Sequence, residues 1–374
     1  MKKNVVYILS FISKSIEFEL VATLLDKGKF NLSFILLHDK DSYMEDFLKQ
    51  NGINTFRINY TGKKDAASAI FKIRKILKRE KTDIVHCHLF DACFAGLVAA
   101  KSVGVRKRIH TRHNSTIHHA YHPGTVKYDK LINRLSTDII AVSSVVKDVL
   151  VNLEGADASK ISIIHHGFNM DDFDKVSKER METIQAKYNF GNNKPVVGVI
   201  SRFIHWKGVQ YIIPAFKKLL EKFPSAHLVL ANAEGPYADN MEIFLAALPA
   251  GSFTKILFED DVYALFKTFD LFVHTPIDKD SEAFGQVYVE AMASKVPSVV
   301  TLSGIANDYI KDNHNAAVVP FKNSDAIYQR MVELLNNKEL KESIVTTADK
   351  EVRDMFPISK KIKQLEALFT KDSR

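Results

Sequence analysis

The chain has 374 residues, 46% of them hydrophobic and 26% charged, with a formal net charge of +8. That length exceeds one ordinary core and suits two domains of typical size, and no apolar run approaches the ~20 residues that a membrane-spanning helix needs. The two cysteines, Cys87 and Cys93, form neither a disulfide framework nor a CxxC pair, so a reducing cytosol is expected and metal binding by them is not.

Charge is unevenly placed. Residues 1–170 carry 26 Lys+Arg and 16 Asp+Glu, a net of +10, and the remainder carries 26 and 28, a net of −2. A basic first half points to an anionic partner or surface. No nucleic-acid-binding motif accompanies it.

Along the chain, short β-rich apolar runs alternate with helical patterns. Val5–Leu9 reads as a buried strand rather than a leader peptide, because Lys14, Glu17 and Glu19 follow with no small-residue cleavage site. Further strands are expected at Leu32–Leu37, Thr55–Ile58, Asp83–His88, Arg108–Thr111, Asp138–Val142 and Ile161–Ile164. Between them, helices are expected over Glu17–Leu25, Tyr43–Lys49, Ala66–Lys78, Ala92–Ala100 and Val145–Leu153. The pattern loosens after Gly167, where a polar, acidic stretch and a charged helix through Lys187 follow, and restarts at Pro195–Ile200, with a long helix over Lys207–Phe223. Strands follow at His227–Ala231, Lys255–Phe258, Leu271–Val273, Pro297–Val300 and Ala316–Val319. This alternation argues for an α/β fold of parallel βαβ units covered on both sheet faces. The expected organisation is a first Rossmann-like domain over 1–170, a linker over 171–189 and a second domain over 190–350. The C-terminal segment 357–374 is expected to pack back on the first domain, and the two domains to face a cleft.

Ligands of open parallel sheets sit beyond the carboxyl ends of the strands, so the residues just after strands carry the information. Ser281 to Glu290 follows a strand and enters a helix pattern, with Glu282 and Glu290 eight positions apart. Between them Phe284, Gly285 and Gln286 would leave N–H donors at a helix start, where anionic or oxygen-rich ligands are favoured. Acidic residues near a helix N-terminus are also favoured by the macrodipole alone. Arg202 and Lys207 flank the turn after Pro195–Ile200 and suit a diphosphate, one as a planar fork and the other as a mobile charge. His113 follows the strand Arg108–Thr111 in a segment crowded with His110, His118, His119 and His122, which lacks clean metal-ligand spacing. His86 and His88 are expected to point to opposite faces of their strand. The helix pattern at Ala66–Lys81 sets a basic face against apolar positions. It reads equally as a solvated surface or as a peripheral contact with anionic lipid. GxGxxG, GxxxxGK[ST] and GxSxG are absent, which removes the main support for dinucleotide oxidoreduction, P-loop phosphoryl transfer and a hydrolase elbow.

Glu282-Ala-Phe-Gly followed by Glu290-Ala-Met-Ala resembles the E-x7-E signature of the retaining nucleotide-sugar glycosyltransferases of family 4, which have the GT-B fold. Ser201-Arg202 with Lys207-Gly208 is similar to that family's diphosphate-binding pair. Asp83–His88, Thr111–His113 and Ile163–Gly167 are similar to weaker recurring segments. The resemblance implies that Glu282 contacts the donor sugar, Glu290 the ribose hydroxyls, and Arg202 and Lys207 the diphosphate. Phe284, Gly285 and Gln286 would offer backbone N–H groups, and His113 would sit near the donor sugar. Two departures stand out. The glycine pair common after the first strand is replaced by Ser10–Ser15, so that Ser13 or its neighbours would contact the donor. Ser303-Gly304-Ile305 stands where many members have two glycines. The function implied is retaining, metal-independent transfer from a UDP- or GDP-sugar, with no cofactor. The acceptor would be a lipid-linked or cell-surface glycan of polysaccharide biosynthesis. The enzyme would be cytoplasmic, at the inner face of the cytoplasmic membrane if the lipid contact holds. An epimerase or hydrolase of the same fold, or a non-catalytic glycan-binding protein, remains the alternative.

Overall fold

The structure is a computed structural model that describes residues 2–371; Met1 and the last three residues of the 357–374 segment lie outside the described residues. The chain forms two compact units. One runs to Phe168 and takes in the segment from Ile358 onward; the other is Asn169–Pro357.

The first unit is built on seven strands, β1 (Lys3–Ser10), β2 (Phe30–Leu37), β3 (Asn54–Ile58), β4 (Ile84–His88), β5 (Lys107–Arg112), β6 (Asp138–Ala141) and β7 (Ile161–Ile163). Their order is β3-β2-β1-β4-β5-β6-β7, and every pairing is parallel. The apolar run of β1 follows from burial on both faces. Val5, Tyr7 and Leu9 enter one core layer and Val6 and Ile8 the other, as the period of two requires. The first layer is closed by the helices Ile16–Leu24 and Tyr43–Gln50 and by the C-terminal helix Ile358–Thr370. The helices Ala66–Arg79, Phe90–Ser102 and Val126–Leu135 close the second.

The second unit repeats this plan with β8 (Val196–Ile200), β9 (His227–Ala231), β10 (Phe253–Ile256), β11 (Leu271–His274), β12 (Ser298–Val300) and β13 (Ala317–Val318). The parallel order is β10-β9-β8-β11-β12-β13. Strand order reverses between β1 and β4 in one sheet and between β8 and β11 in the other. At such switch points the loops leave in opposite directions and open a crevice.

Two expectations need correction. Residues 171–189 are not a linker but part of the second unit. Phe173 is buried edge-on against Tyr263 at 4.9 Å, Ile184 joins the core with Phe266 and Phe272, and Arg180 grips Asp261 at 2.6 and 2.8 Å. The charged helix expected to run through Lys187 is present as Lys178–Tyr188, and its one buried residue, Ile184, is too little apolar periodicity to tie it to a domain from the sequence. Second, no element is expected between Thr111 and Asp138, yet the helix Val126–Leu135 stands there. Its inward side includes Asp129 and Asn133, which break the apolar stripe and find partners only in the folded chain.

Ile358, Ile362, Leu365, Leu368 and Phe369 place the C-terminal helix inside the core of the first unit. Leu365→Ala should therefore lower stability by about 2–5 kcal/mol, as a cavity in a closed core does, in urea unfolding followed by far-UV circular dichroism. A loss under half a kcal/mol would mean that the helix is only loosely attached.

Candidate active site

In the second unit the chain leaves β8 at Ile200, passes Arg202 and a 3-10 turn, His205–Lys207, and enters the helix Val209–Lys222 at Gly208. Gly208 has φ +76°, and a Cβ there would lie 1.8 Å from the Thr275 carbonyl oxygen. Glycine is what lets this turn press against the end of β11. The contact brings Lys207 Nζ to 2.5 Å from Glu282 Oε1, and His274 at the end of β11 places Nε2 3.1 Å from the same oxygen. The Glu282 N–H donates to Ser303 Oγ at 3.1 Å, and the Ile305 N–H to the Phe284 carbonyl at 2.9 Å. Gly304, at φ +57°, lies so close beneath that a Cβ would come 2.7 Å from Glu282 Cβ. The Ser303–Ile305 segment is thus the seat of the Glu282 loop.

Burial pushes the Glu282 carboxyl up, but Lys207 and His274 outweigh it and hold it at about 2. The carboxylate only accepts hydrogen bonds, so His274 Nε2 carries the proton. Burial lowers the His274 pKa against the pull of Glu282, leaving a neutral ring whose Nδ1 is a buried, unpartnered lone pair. Glu290 sits half-buried on the helix Gln286–Ala293 with no partner among the described residues, and burial alone raises it to about 7. The N–H groups of Gly285 and Gln286 at that helix start also make no hydrogen bond among the described residues. Arg202 is exposed and makes no ion pair among the described residues. Lys207 and Glu282 are therefore brought into contact, while Arg202, Glu290 and the two N–H groups are left open to a ligand. Phe284 is buried, and its carbonyl is spent on Ile305.

In the first unit His113 follows β5. Its Nε2 lies 2.9 Å from His88 Nδ1, and its ring is stacked on His166 with centroids 5.5 Å apart. Burial, with help from His166, pushes His113 down to about 3, so it is neutral. His166 is bonded to Glu17, which also holds Lys361 of the C-terminal helix. His86 and His88 share one face, rings 4.1 Å apart, contrary to the expectation. Residues two apart on a strand point the same way. Ser13 is exposed, and its carbonyl accepts from the Met44 N–H at 2.8 Å. His118 and His119 are absorbed into a network with Asp129 and Glu154 around buried Arg112. Among the described residues no group of His, Cys, Asp and Glu is arranged to hold a metal ion. Beside His113 a cavity of about 280 Å³ is walled mainly by Leu89, Phe90, Cys93, Ile117 and Ile132.

Residues 19–172 match the model of Glycosyltransferase Family 4, and residues 180–351 that of Glycosyl transferases group 1. The chain belongs to the family 4 glycosyltransferases. An uncharacterized glycosyltransferase of Methanocaldococcus jannaschii is 26% identical to it, over 82% of this chain and 81% of that protein. The capsular polysaccharide biosynthesis glycosyltransferase CapM of Staphylococcus aureus is 24% identical, over 64% of this chain and 63% of CapM. The crystal structure of Anabaena HepE in complex with UDP and glucose superposes with a TM-score of 0.83 at 19% identity, covering 99% of this chain and 100% of that one. The fold of this glycosyltransferase is accordingly GT-B.

Sequence reasoning missed His274 and Ser303 as parts of the site. The strand-end rule could have flagged His274. Ser303 acts through its hydroxyl on a backbone N–H, a contact set by the fold.

Two outcomes follow for the glycosyltransferase. Lys207→Met leaves a buried carboxylate with one neutral partner and should cost ~3 kcal/mol at pH 7, and adding Glu282→Gln should recover part of it. Equal stability of the parent and Lys207→Met in denaturant titration would show that the pair is not formed. For Glu290 the folded carboxyl, at about 7, holds its proton more tightly than the unfolded one, at 4.5. Its ionisation therefore erodes stability as pH rises through that window, and the whole penalty is present above it. Thermal melts should show Glu290→Gln gaining on the parent from pH 5 to pH 8, and a constant difference would refute the shift.

Proposed function

We propose that this glycosyltransferase moves a sugar from a UDP- or GDP-sugar to a lipid-linked or cell-surface glycan, with retention of anomeric configuration and without a metal. The observation that carries this reading is the Lys207–Glu282–His274 cluster at the β8/β11 switch point, beside the unspent donors of Arg202, Gly285 and Gln286. The ammonium of Lys207 has three N–H donors, and one is committed to Glu282. The others, with the Arg202 fork, would bind the diphosphate and meet the charge that grows as its bond to the sugar breaks. Glu282, held ionised, would accept from the sugar hydroxyls, and Glu290 from the ribose hydroxyls. A phosphate oxygen of the departing diphosphate would take the acceptor hydroxyl's proton as the new glycosidic bond forms on the same face. No protein nucleophile is then required.

The first unit would serve the acceptor. Neutral His113 offers a hydrogen bond at the rim of a cavity whose walls are mostly apolar, which supports an acceptor with an apolar portion. CapM, by its name a capsular polysaccharide enzyme, supports a glycan product, and the HepE complex supports a uridine donor. Such a reaction would run at the cytoplasmic face of the membrane.

The test is a thermal-shift screen against UDP, GDP and their sugars, followed by transfer assays with the sugar that binds. Arg202→Ala, Lys207→Ala and Glu282→Ala should each lower transfer by roughly a hundredfold or more, as loss of one preorganised charge-stabilising group does. Activity should survive a chelator, and proton NMR of the product should show the donor's anomeric configuration. Transfer unchanged in Lys207→Ala and Glu282→Ala would sink the site assignment. Turnover of the nucleotide sugar with no acceptor present would favour an epimerase or hydrolase instead.

A further inference from the structure

Three helices cover one face of the first sheet. Phe90–Ser102 lies in the middle, packed against Ala66–Arg79 on one side and Val126–Leu135 on the other. Each buries an apolar stripe, such as Ala69, Ile73 and Leu77 on the first, which turns its remaining positions outward.

Those outward positions carry one sign of charge. Ala66–Arg79 contains no acidic residue and exposes Lys72, Lys75 and Lys78, none of them in an ion pair among the described residues. Its Arg79 is matched by Glu80 just beyond the helix. Val126–Leu135 exposes Lys127, Lys130 and Arg134, likewise without ion pairs among the described residues. The middle helix exposes Lys101. The only acids on the three helices point away from this surface: Asp91 accepts from the Tyr60 hydroxyl at 2.7 Å, and Asp129 is buried on Arg112 at 2.6 Å. Every exposed charge on the three helices is therefore positive.

Large apolar groups stand among these cations. Phe71 is 57% exposed, one turn from Lys75, whose ammonium lies 4.5 Å from its ring. Tyr128 and Leu131 are exposed on the third helix, and Tyr128 packs edge-on against Phe94 of the middle helix at 5.8 Å. A soluble polyanion would use the charges and leave Phe71 and Leu131 in water. A bilayer surface takes both, with acidic headgroups meeting the lysines and the apolar tips entering the acyl boundary.

We propose that the outer face of the helices Ala66–Arg79, Phe90–Ser102 and Val126–Leu135 docks on an anionic lipid bilayer, with Phe71, Tyr128 and Leu131 at the acyl boundary and the lysines on the headgroups. This docking is independent of the transfer reaction and needs no nucleotide.

The test is flotation of the full chain with phosphatidylcholine vesicles, with and without phosphatidylglycerol. Binding is expected only when phosphatidylglycerol is present, and to weaken with added salt. Lys72→Gln with Lys75→Gln should lower partitioning about 25-fold, at about fivefold per cation. Phe71→Ser should lower it while keeping the salt dependence. All three residues are exposed, so parental melting temperatures confirm folding, and the nucleotide thermal shift, read on the same samples, bears on the transferase reading alone. The proposal is overturned by equal binding to both vesicles, by binding to neither, or by phosphatidylglycerol binding that both variants retain. A chain that binds heparin or RNA but no vesicle would assign the face to a soluble polyanion.

Discussion

A carboxylate cannot stay ionised inside a protein without a cation and donors to replace its water. Glu282 meets that requirement through Lys207, His274 and the loop that carries it, and much of the second unit is arranged around this. The turn after β8 must approach the end of β11 closely enough for Lys207 to reach, which is why Gly208 tolerates no side chain. The Glu282 loop must be seated, and Ser303 and Gly304 provide the seat. The result is a fixed, charged group at the mouth of a parallel sheet. Beside it Glu290 is left with no partner among the described residues, and burial alone raises its pKa.

The first unit solves a different problem with similar means. His113 is kept neutral by burial and steered by His88, while His166 is tied to Glu17. Glu17 also binds Lys361, and so joins the N-terminal helix Ile16–Leu24 to the C-terminal helix across almost the full length of the chain. Ile362, Leu365 and Phe369 of that helix are buried in the core of the same unit, and burial of their apolar surface stabilises the attachment. The opposite helical layer has no such closure. Its inward positions are apolar or paired, and the exposed charges on its outward side are all positive.

The alternation of strands and helices was legible because strands buried on both faces leave continuous apolar runs, as Val5–Leu9 and Val196–Ile200 do. Arg202, Lys207 and Glu282 were singled out in the sequence because they lie in segments that leave strands, and of these the structure brings Lys207 and Glu282 into contact. The helix Val126–Leu135 was not legible, because Asp129 and Asn133 occupy positions that periodicity assigns to apolar residues. The charged helix Lys178–Tyr188 was legible as a helix, but its single buried residue, Ile184, gave no period to show which unit it joins. His86 and His88 were assigned opposite faces against the strand's own geometry, and the structure restores them to one.

By itself, then, the sequence determined the α/β architecture, the two-unit plan and the residue types gathered after the strands, because these depend on local periodicity and on the polarity of single residues. Only the tertiary structure decided which of those residues meet. The Lys207–Glu282 and His274–Glu282 contacts, the Ser303 seat and the neutral state of His113 arise between segments distant in sequence or from loss of water on burial. Neither cause leaves a mark on the order of residues, since distance and desolvation are properties of the folded chain.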